Sequence, residues 1–252
     1  MEQFVTIENR QGEKIDTLIE GNEKAKTTVI FVHGFGTDKN ETENLFIDIA
    51  SALKDKFRVV RFDLSGYGKS EGKQEEASYN KHAEDLKSVF DWVKKKFGRK
   101  IYILAMSMGC FVTAIASPRV VKVILLSIPN HNMETVYHRV KQRFFSREGS
   151  VFNEKGISLL KRSTGKIQKF GPSFWKIMRS IRPLDLINNL TQKTKLLIIH
   201  PLQDEIVGNE FIDEYRQIPK VKYIEMNGNH SFKKKGDREE VIRIIVNYFT
   251  QP

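Results

Sequence analysis

Three residues, Ser107, Asp204 and His230, have the side-chain types that an acyl-transfer reaction needs. Ser107 stands in the segment IYILAMSMGCF, between one apolar, strand-like run and a second apolar run. Asp204 follows the apolar run KLLIIH, in PLQDEIVG, and His230 follows VKYIEM, in NGNHSF. A hydroxyl is a weak nucleophile unless a base removes its proton, and that base needs an acid to orient it. The three residues therefore predict a nucleophile, a general base and an orienting carboxylate, all at strand ends.

The neighbours of Ser107 predict a tight strand-to-helix turn. On such a turn the serine takes a strained backbone conformation, and bulky side chains two residues to either side would collide. Ala105 and Gly109 are small, and together they match a nucleophile elbow in which Ala105 replaces the usual first glycine. The alternative is a buried serine that caps a helix, which would not require small residues at both positions.

Backbone amides near Ser107 predict an oxyanion hole. The strand TVIFV ends in His33-Gly34-Phe35-Gly36. We expect the Phe35 N–H to act together with the N–H of Met108, which opens a helix where amides lack partners. Such donors stabilise the negative charge that develops on a tetrahedral intermediate. His33 is expected to brace this loop.

Other residues of suitable type compete for these roles. Asp63 also ends a strand and is the rival acid, although DLSGYGKS predicts a loop shaped by its glycines and a structural Asp63. Cys110 lies beyond the turn and is expected in the core. The other histidines fall in a predicted helix, at a strand end, or near residue 130, where they remain open as substrate contacts or solvated residues: His82, His200, His131 and His138.

Short runs rich in valine and isoleucine alternate with helical patterns along most of the chain. Because these runs are apolar on both faces, we predict fold class α/β, a mostly parallel central sheet with helices on both faces. The predicted strands are FVTIEN and KIDTLIE in a leading hairpin, then TVIFVHG, FRVVRFD, KIYILAMS, VVKVILLS, KLLIIHP and VKYIEMN. The predicted helices span about 41–55, 78–97, 108–117, 209–217 and 237–250.

The alternation breaks between residues 130 and 190, where we identify no good strand. Nearly sixty residues are too many for an ordinary connection in a compact domain. We therefore predict an inserted, mainly helical cap over 130–190, on a core formed by 1–129 and 191–252.

The predicted cap is basic and rich in aromatic residues. Residues 131–190 contain twelve Lys and Arg against four Asp and Glu, a net charge of +8. This charge predicts either a solvated surface or a face for anionic substrates, acyl carriers or lipid head groups. The aromatic residues would pack the cap onto the core, line an acyl pocket or face a lipid surface: Tyr137, Phe144, Phe145, Phe152, Phe170, Phe174 and Trp175.

Composition excludes several classes of protein. No run approaches the roughly 18 apolar residues of a membrane helix, and the first residues show no signal-peptide pattern. The single cysteine, Cys110, excludes an internal disulfide and suits a reducing compartment, so we expect a cytoplasmic protein. The net charge of +11 is compatible with nucleic-acid binding, but no recognition module accompanies it, so we expect none.

The chain resembles the alpha/beta-hydrolase superfamily. The motifs are HGFG at 33–36, DLSGYGKS at 63–70 and AMSMG at 105–109, followed by Asp204 and His230. The short HGFG and the insertion look most like monoacylglycerol lipases and cinnamoyl or feruloyl esterases. This resemblance implies a Ser107–Asp204–His230 triad, with an oxyanion hole from the amides of Phe35 and Met108.

The expected activity is therefore that of a metal-independent serine hydrolase acting on carboxylic esters through an acyl-enzyme. No cofactor is expected, because nothing resembles a phosphate-binding loop or a cluster of metal ligands. An acyl thioesterase or an acyltransferase would use the same residues. A slow-turnover ligand-binding sensor is the alternative of another class.

Overall fold

The computed structural model describes residues 2–162 and 164–251, which form one eight-stranded sheet and one short hairpin. The strands of the sheet are β1 (Glu2–Glu8), β2 (Lys14–Gly21), β3 (Thr28–Val32), β4 (Arg58–Phe62), β5 (Ile101–Met106), β6 (Lys122–Leu126), β9 (Lys195–Gln203) and β10 (Val221–Asn229). The hairpin consists of β7 (Ser158–Lys161) and β8 (Ile167–Phe170).

The sheet is mostly parallel, as predicted. Its strand order is β1-β2-β4-β3-β5-β6-β9-β10. β2 pairs antiparallel with both β1 and β4, and every other neighbouring pair is parallel. β3, β4, β5 and β6 are buried over their whole length, which explains why apolar residues dominate both faces, with Arg58, Arg61 and Lys122 as the charged exceptions.

Helices cover both faces of the sheet. They are α1 (Leu45–Leu53), α2 (Tyr79–Phe97), α3 (Met108–Ala116), α4 (Met133–Phe145), α5 (Pro172–Ser180), α6 (Pro183–Thr191) and α7 (Lys235–Thr250). Alternate residues of β5 face opposite sides: Ile103 packs in the core with α2 and α3, whereas Leu104 packs in a second core with α1 and α7. The predicted two-sided α/β architecture is confirmed.

The segment between β6 and β9 differs from the prediction in one respect. It contains helices α4, α5 and α6, but it also contains the β7–β8 hairpin, so the expectation of no strand there is wrong. These strands are only four residues long, and most β8 residues are exposed or half-buried, so they lack a continuous apolar run. The helix predicted over 209–217 is likewise only a 3-10 turn at Asp213–Gln217.

The topology brings four strand ends to one edge of the sheet. β3, β5, β9 and β10 all run in the same direction through their parallel neighbours, so the residues that follow them lie at the same rim. Those residues include His33, Ser107, Asp204 and His230. Open α/β sheets bind their ligands at this carboxyl edge.

Candidate active site

Ser107 occupies a strained turn between β5 and α3. Its backbone has φ 51° and ψ −119°, a conformation that residues with a side chain rarely adopt. Gly109 permits the turn, because a Cβ atom there would lie 2.7 Å from the His33 carbonyl oxygen and still closer to that of Val32. Position 109 therefore requires a residue without a side chain, because α3 packs closely against the end of β3.

Asp204 and His230 form a buried pair. His230 Nδ1 lies 2.8 Å from Asp204 Oδ2 and 3.0 Å from Oδ1. Asp204 Oδ1 also accepts hydrogen bonds from the amides of Ile206 and Val207, each 2.9 Å long. The carboxylate therefore holds the turn after β9 and orients the imidazole, with the proton on Nδ1 and Nε2 left as the basic nitrogen.

The two groups shift each other's pKa in opposite directions. Burial favours neutral Asp204, but the charge and hydrogen bond of His230, together with the two amides, outweigh it and lower the Asp204 pKa. Burial likewise disfavours charged His230, but Asp204 outweighs it, with smaller contributions from Glu41 and Glu205, and raises the His230 pKa. The pair thus favours an ionised carboxylate beside an imidazole that readily accepts a proton.

Ser107 and His230 line the same cavity, which has a volume of about 220 Å³. Ser107 is 8% exposed, His230 8% and Asp204 5%, so the serine and the imidazole reach the cavity while the carboxylate lies behind them. Within the described residues no hydrogen bond joins the Ser107 hydroxyl to His230. Such bonds are often long in unliganded enzymes and shorten when substrate binds.

The backbone amides of Phe35 and Met108, the residues predicted to form the oxyanion hole, have no acceptor among residues 2–162 and 164–251. Both residues line the cavity beside Ser107. Met108 is the first residue of α3, where an amide has no intrahelical acceptor. A negatively charged oxygen formed on a substrate carbonyl is the kind of acceptor that such amides suit.

Glu41 is a buried cavity residue that the sequence did not single out. Its carboxylate accepts hydrogen bonds from the Gly34 amide, from Thr37 Oγ1 at 3.1 Å and from the Thr42 amide at 2.8 Å. Glu41 reaches back to the loop after β3 because its own backbone has φ 62°. No local pattern signals this contact, since it depends on the path of the loop between residues 34 and 41.

His33 braces the same loop, as expected from sequence. Its Nε2 accepts a hydrogen bond from the Leu64 amide at 3.0 Å, which leaves Nδ1 to donate to the Gly34 carbonyl oxygen at 3.0 Å. Glu41 and His33 therefore hold Gly34 from two sides. The amide of Phe35, the next residue, is positioned by this bracing.

The rival acid Asp63 is occupied elsewhere. It is fully buried, and its carboxylate lies 2.7 Å from Lys39 Nζ and accepts the amides of Lys39 and Lys69. Lys39 Nζ also lies 2.5 Å from Asp16, which completes a buried charge cluster. These contacts agree with a structural role for Asp63.

The remaining candidates lie outside the cavity lining. Burial lowers the pKa of His82 to about 3, and the charge of His33 adds to the shift, so His82 is neutral at pH 7. His200 Nε2 lies 2.8 Å from Asn209 Oδ1. His131 lies 3.2 Å from Glu214, and His138 lies 3.2 Å from Glu134.

Cys110 is fully buried, and burial raises its thiol pKa well above the usual value, which disfavours a thiolate nucleophile.

The aromatic residues of the 130–190 segment both pack and line the cavity. Phe144 and Phe174 lie in the cavity wall, while Trp175 is fully buried and donates from Nε1 to Ser158 Oγ at 3.1 Å. The Phe35 ring stacks on Phe170 with centroids 4.7 Å apart. The segment is thus joined directly to the loop that carries the Phe35 amide.

Comparison with known proteins gives the family of the chain. Residues 27–224 match the family described as alpha/beta hydrolase fold. The chain belongs to this family. The alpha/beta hydrolase architecture predicted from the sequence motifs is therefore confirmed.

Curated relatives match only part of this alpha/beta hydrolase. It is 34% identical over 113 residues to "Probable lysophospholipase BODYGUARD 2" of Arabidopsis thaliana, and the matched segment covers 43% of the chain and 24% of the relative. It is 30% identical over 105 residues to 3-oxoadipate enol-lactonase 1 of Acinetobacter baylyi, and the matched segment covers 42% of the chain and 36% of the relative. The matches thus span between a quarter and about a third of the length of these relatives.

Solved esterase structures share the fold over nearly the whole alpha/beta hydrolase. Est1E from Butyrivibrio proteoclasticus, solved with ferulic acid bound, has a TM-score of 0.77 at 22% identity and covers 97% of both chains. An esterase of Pyrococcus furiosus has a TM-score of 0.74 at 18% identity, covering 99% of this chain and 90% of its own. At these identities the similarity establishes the fold alone.

No helix in the described part of this alpha/beta hydrolase combines the length and apolar character needed to span a bilayer. No cluster of three or more His, Cys, Asp or Glu side chains in residues 2–162 and 164–251 is arranged to hold a metal ion.

Proposed function

We propose that this alpha/beta hydrolase cleaves carboxylic esters through an acyl-enzyme, with Ser107 as nucleophile, His230 as general base and Asp204 as orienting acid. The observation that carries the proposal is the Asp204–His230 pair, 2.8 Å apart, behind a cavity that Ser107 also lines. The names of the relatives, which include a lysophospholipase, an enol-lactonase and esterases, also favour ester chemistry.

In the first step the Ser107 hydroxyl attacks the ester carbonyl while His230 Nε2 takes its proton. This transfer requires Ser107 Oγ to come within hydrogen-bond distance of the imidazole once the substrate is bound. Asp204 stays ionised, since its pKa is lowered, and stabilises the imidazolium that forms.

The carbonyl oxygen becomes an oxyanion in the same step. The amides of Phe35 and Met108 would donate to it, because neither has another acceptor in the described chain. His230 then gives its proton to the departing alcohol as the carbon–oxygen bond breaks. Water attacks the acyl-Ser107 ester by the same route and releases the acid.

Residues 130–190 are proposed to act as a cap over this site. Val136, Val140, Phe144, Phe174 and Met178 from this segment line the cavity that contains Ser107. Their apolar side chains would contact the acyl chain or the alcohol part of the ester. Ligand sites of this kind are largely apolar with a few placed polar groups.

The proposal is tested by labelling and by turnover. A fluorophosphonate probe is expected to label Ser107, identified by peptide mapping, and the protein is expected to turn over a p-nitrophenyl ester many times. Ser107→Ala should lose both the label and the turnover while keeping the wild-type melting temperature. Labelling with a single turnover would instead support a ligand-binding sensor, and acyl transfer to an added alcohol or thiol that exceeds hydrolysis would identify an acyltransferase.

A further inference from the structure

The cavity beside Ser107 has several charged groups in its wall. The cap contributes Arg143, Arg147 and Arg162, and the core contributes Lys233. The carboxylates in the wall are Glu41 and Glu205. Most of these groups already have partners, and the exceptions point to a ligand.

Two of the four cations are neutralised by the protein. Arg143 donates to the Glu205 carbonyl oxygen at 3.2 Å and lies 3.8 Å from its carboxylate. Lys233 lies 3.1 Å from Glu43. Neither group is available to bind a ligand without giving up an existing contact.

Arg147 and Arg162 have no carboxylate partner. No carboxylate of the described residues lies within 4.0 Å of either guanidinium, whereas Arg139 pairs with Glu210 and Arg179 pairs with both Glu134 and Glu154. The absence of an ion pair is not by itself distinctive, because the exposed Arg182 also has none. Arg162 differs from Arg182 because its Nη1 atom is buried in the wall of the cavity.

Arg162 lies against the loop that contains Phe35. Its Nη1 is 3.0 Å from the position that a Cβ atom would take on Gly36, and this nitrogen is buried with no hydrogen-bond partner in the described chain. The Arg162 and Arg147 guanidinium groups lie 5.8 Å and 5.2 Å from the centre of the same Phe144 ring. Both cations therefore lie against one aromatic ring in the wall of the cavity.

The surroundings of Arg162 disfavour its charged form. Burial and the positive charge of Arg147 lower the pKa of Arg162, and the charge of Glu41 offsets this only in part. A guanidinium also presents paired N–H groups that match the oxygens of a carboxylate or a phosphate. An anionic oxygen group between Arg147 and Arg162 would supply both the missing acceptor and the missing charge.

We propose that the cavity takes esters that carry an anionic oxygen group, a carboxylate or a phosphate monoester, and that Arg162 and Arg147 bind this group. This inference rests on the proposed ester hydrolysis at Ser107 and specifies its substrate class. The anionic group can belong to the acyl part or to the alcohol part of the ester, and the experiment separates the two.

The first measurement is binding, which does not depend on turnover. Calorimetric titration of Ser107→Ala with p-nitrophenyl hemiglutarate is expected to show tighter binding than titration with neutral p-nitrophenyl valerate. Adding Arg162→Gln should weaken binding of the anionic ester by at least about tenfold, since hydrogen bonds to charged groups are stronger than neutral ones. Arg162→Lys should retain part of the preference, and raised salt should reduce it.

The second measurement is the kcat/KM of otherwise wild-type protein. Two pairs of esters are compared, each with one anionic and one neutral member. In the first pair the anion is on the acyl part (p-nitrophenyl hemiglutarate against p-nitrophenyl valerate). In the second pair the anion is on the alcohol part (a monoacylglycerol phosphate against a monoacylglycerol). The anionic-to-neutral ratio in the preferred pair should fall at least about tenfold in Arg162→Gln and in Arg147→Gln, mainly through KM. Arg119→Gln, an exposed arginine in the loop before β6, is the matched control and should leave the ratio unchanged.

The outcomes are distinguishable. Equal binding of both esters by Ser107→Ala, with no change on adding Arg162→Gln, would overturn the anion site even if ester hydrolysis is established. A lower melting temperature of Arg162→Gln with an unchanged ratio would also overturn it and leave Arg162 with a structural role only. Selective binding of the anionic ester without any Ser107-dependent turnover would support the anion site while rejecting the proposed hydrolysis.

Discussion

The ring of Phe35 stacks on the ring of Phe170, with centroids 4.7 Å apart and planes inclined by 19°. Phe35 lies in the loop after β3 that carries a free amide, and Phe170 ends strand β8 of the cap. Gln168 of the same strand donates from Nε2 to the Gly36 carbonyl oxygen at 2.9 Å. One strand of the cap thus holds both the side chain and the backbone of the proposed oxyanion loop.

Phe170→Ala is therefore expected to lower kcat by about tenfold, because the Phe35 amide would lose part of its support. Complete loss of an oxyanion donor typically costs about 10²–10³ in rate, so a loosened donor should cost less. The measurement is steady-state turnover of a p-nitrophenyl ester, with the melting temperature recorded alongside. Phe152→Ala is the control, because Phe152 packs on Trp175 and Phe145 within the cap. Equal losses of kcat in the two variants would show that Phe170 acts only through cap stability.

Asp204→Asn is expected to lower kcat by about 10⁴, since the amide would favour the wrong imidazole tautomer and would not stabilise the imidazolium. Asp63→Asn should instead act on stability. Because it leaves the buried Lys39 with less compensating negative charge, it should lower the free energy of unfolding by about 3 kcal/mol. Turnover and urea unfolding measured on both variants separate the two effects. The opposite pattern would assign the orienting acid to Asp63.

The pH dependence of kcat/KM should follow the ionisation of His230. The imidazole acts as a base only when neutral, so kcat/KM should fall as the pH is lowered through the His230 pKa. Because that pKa is raised above its ordinary value of 6.5, the midpoint of the acid limb should lie above pH 6.5.

Glu41→Gln should move that midpoint to lower pH. The substitution removes one of the negative charges that raise the His230 pKa, while the amide oxygen can still accept from Gly34. Glu148→Gln, at an exposed position of the cap, should leave the midpoint in place. An unchanged midpoint in Glu41→Gln, in protein with a wild-type melting temperature, would argue against electrostatic coupling between Glu41 and the imidazole.

Gly109→Ala is expected to destabilise the fold by about 1–3 kcal/mol, because the added methyl group would meet the carbonyl oxygens of Val32 and His33. The strain should also displace the Met108 amide and reduce turnover. Gly236→Ala is the matched control: nothing lies within 4 Å of its added Cβ in α7, and alanine favours a helix. The measurement is the free energy of unfolding of both variants in urea. Equal values would mean that α3 can move away from the end of β3 at no cost in stability.

The sequence was most informative where one strong local pattern fixed the structure. Apolar runs such as those of β3 and β5 predicted buried strands, and small residues around Ser107 predicted its turn. Because parallel strands share an edge, Asp204 and His230 could be expected to meet at that rim although they are 26 residues apart.

Other features depended on contacts that no local pattern encodes. The β7–β8 hairpin was missed because its strands are short and largely exposed on β8, and it is held partly by packing of Phe170 against Phe35. Glu41 was missed because its role arises from a left-handed backbone and a carboxylate that reaches back to Gly34. The positions of Arg147 and Arg162 at the cavity likewise follow from how residues 130–190 pack against the rest of the described chain.

The short β7–β8 hairpin has an evolutionary and engineering consequence. Arg162 follows its first strand, while Gln168 and Phe170 lie on its second, so one element carries both the arginine of the proposed anion site and the contacts to the loop after β3. Substrate preference and turnover rate would then change together. Replacing residues 130–190 with the corresponding segment of another hydrolase, in order to change substrate preference, would also lower kcat unless residues 33–37 were exchanged as well.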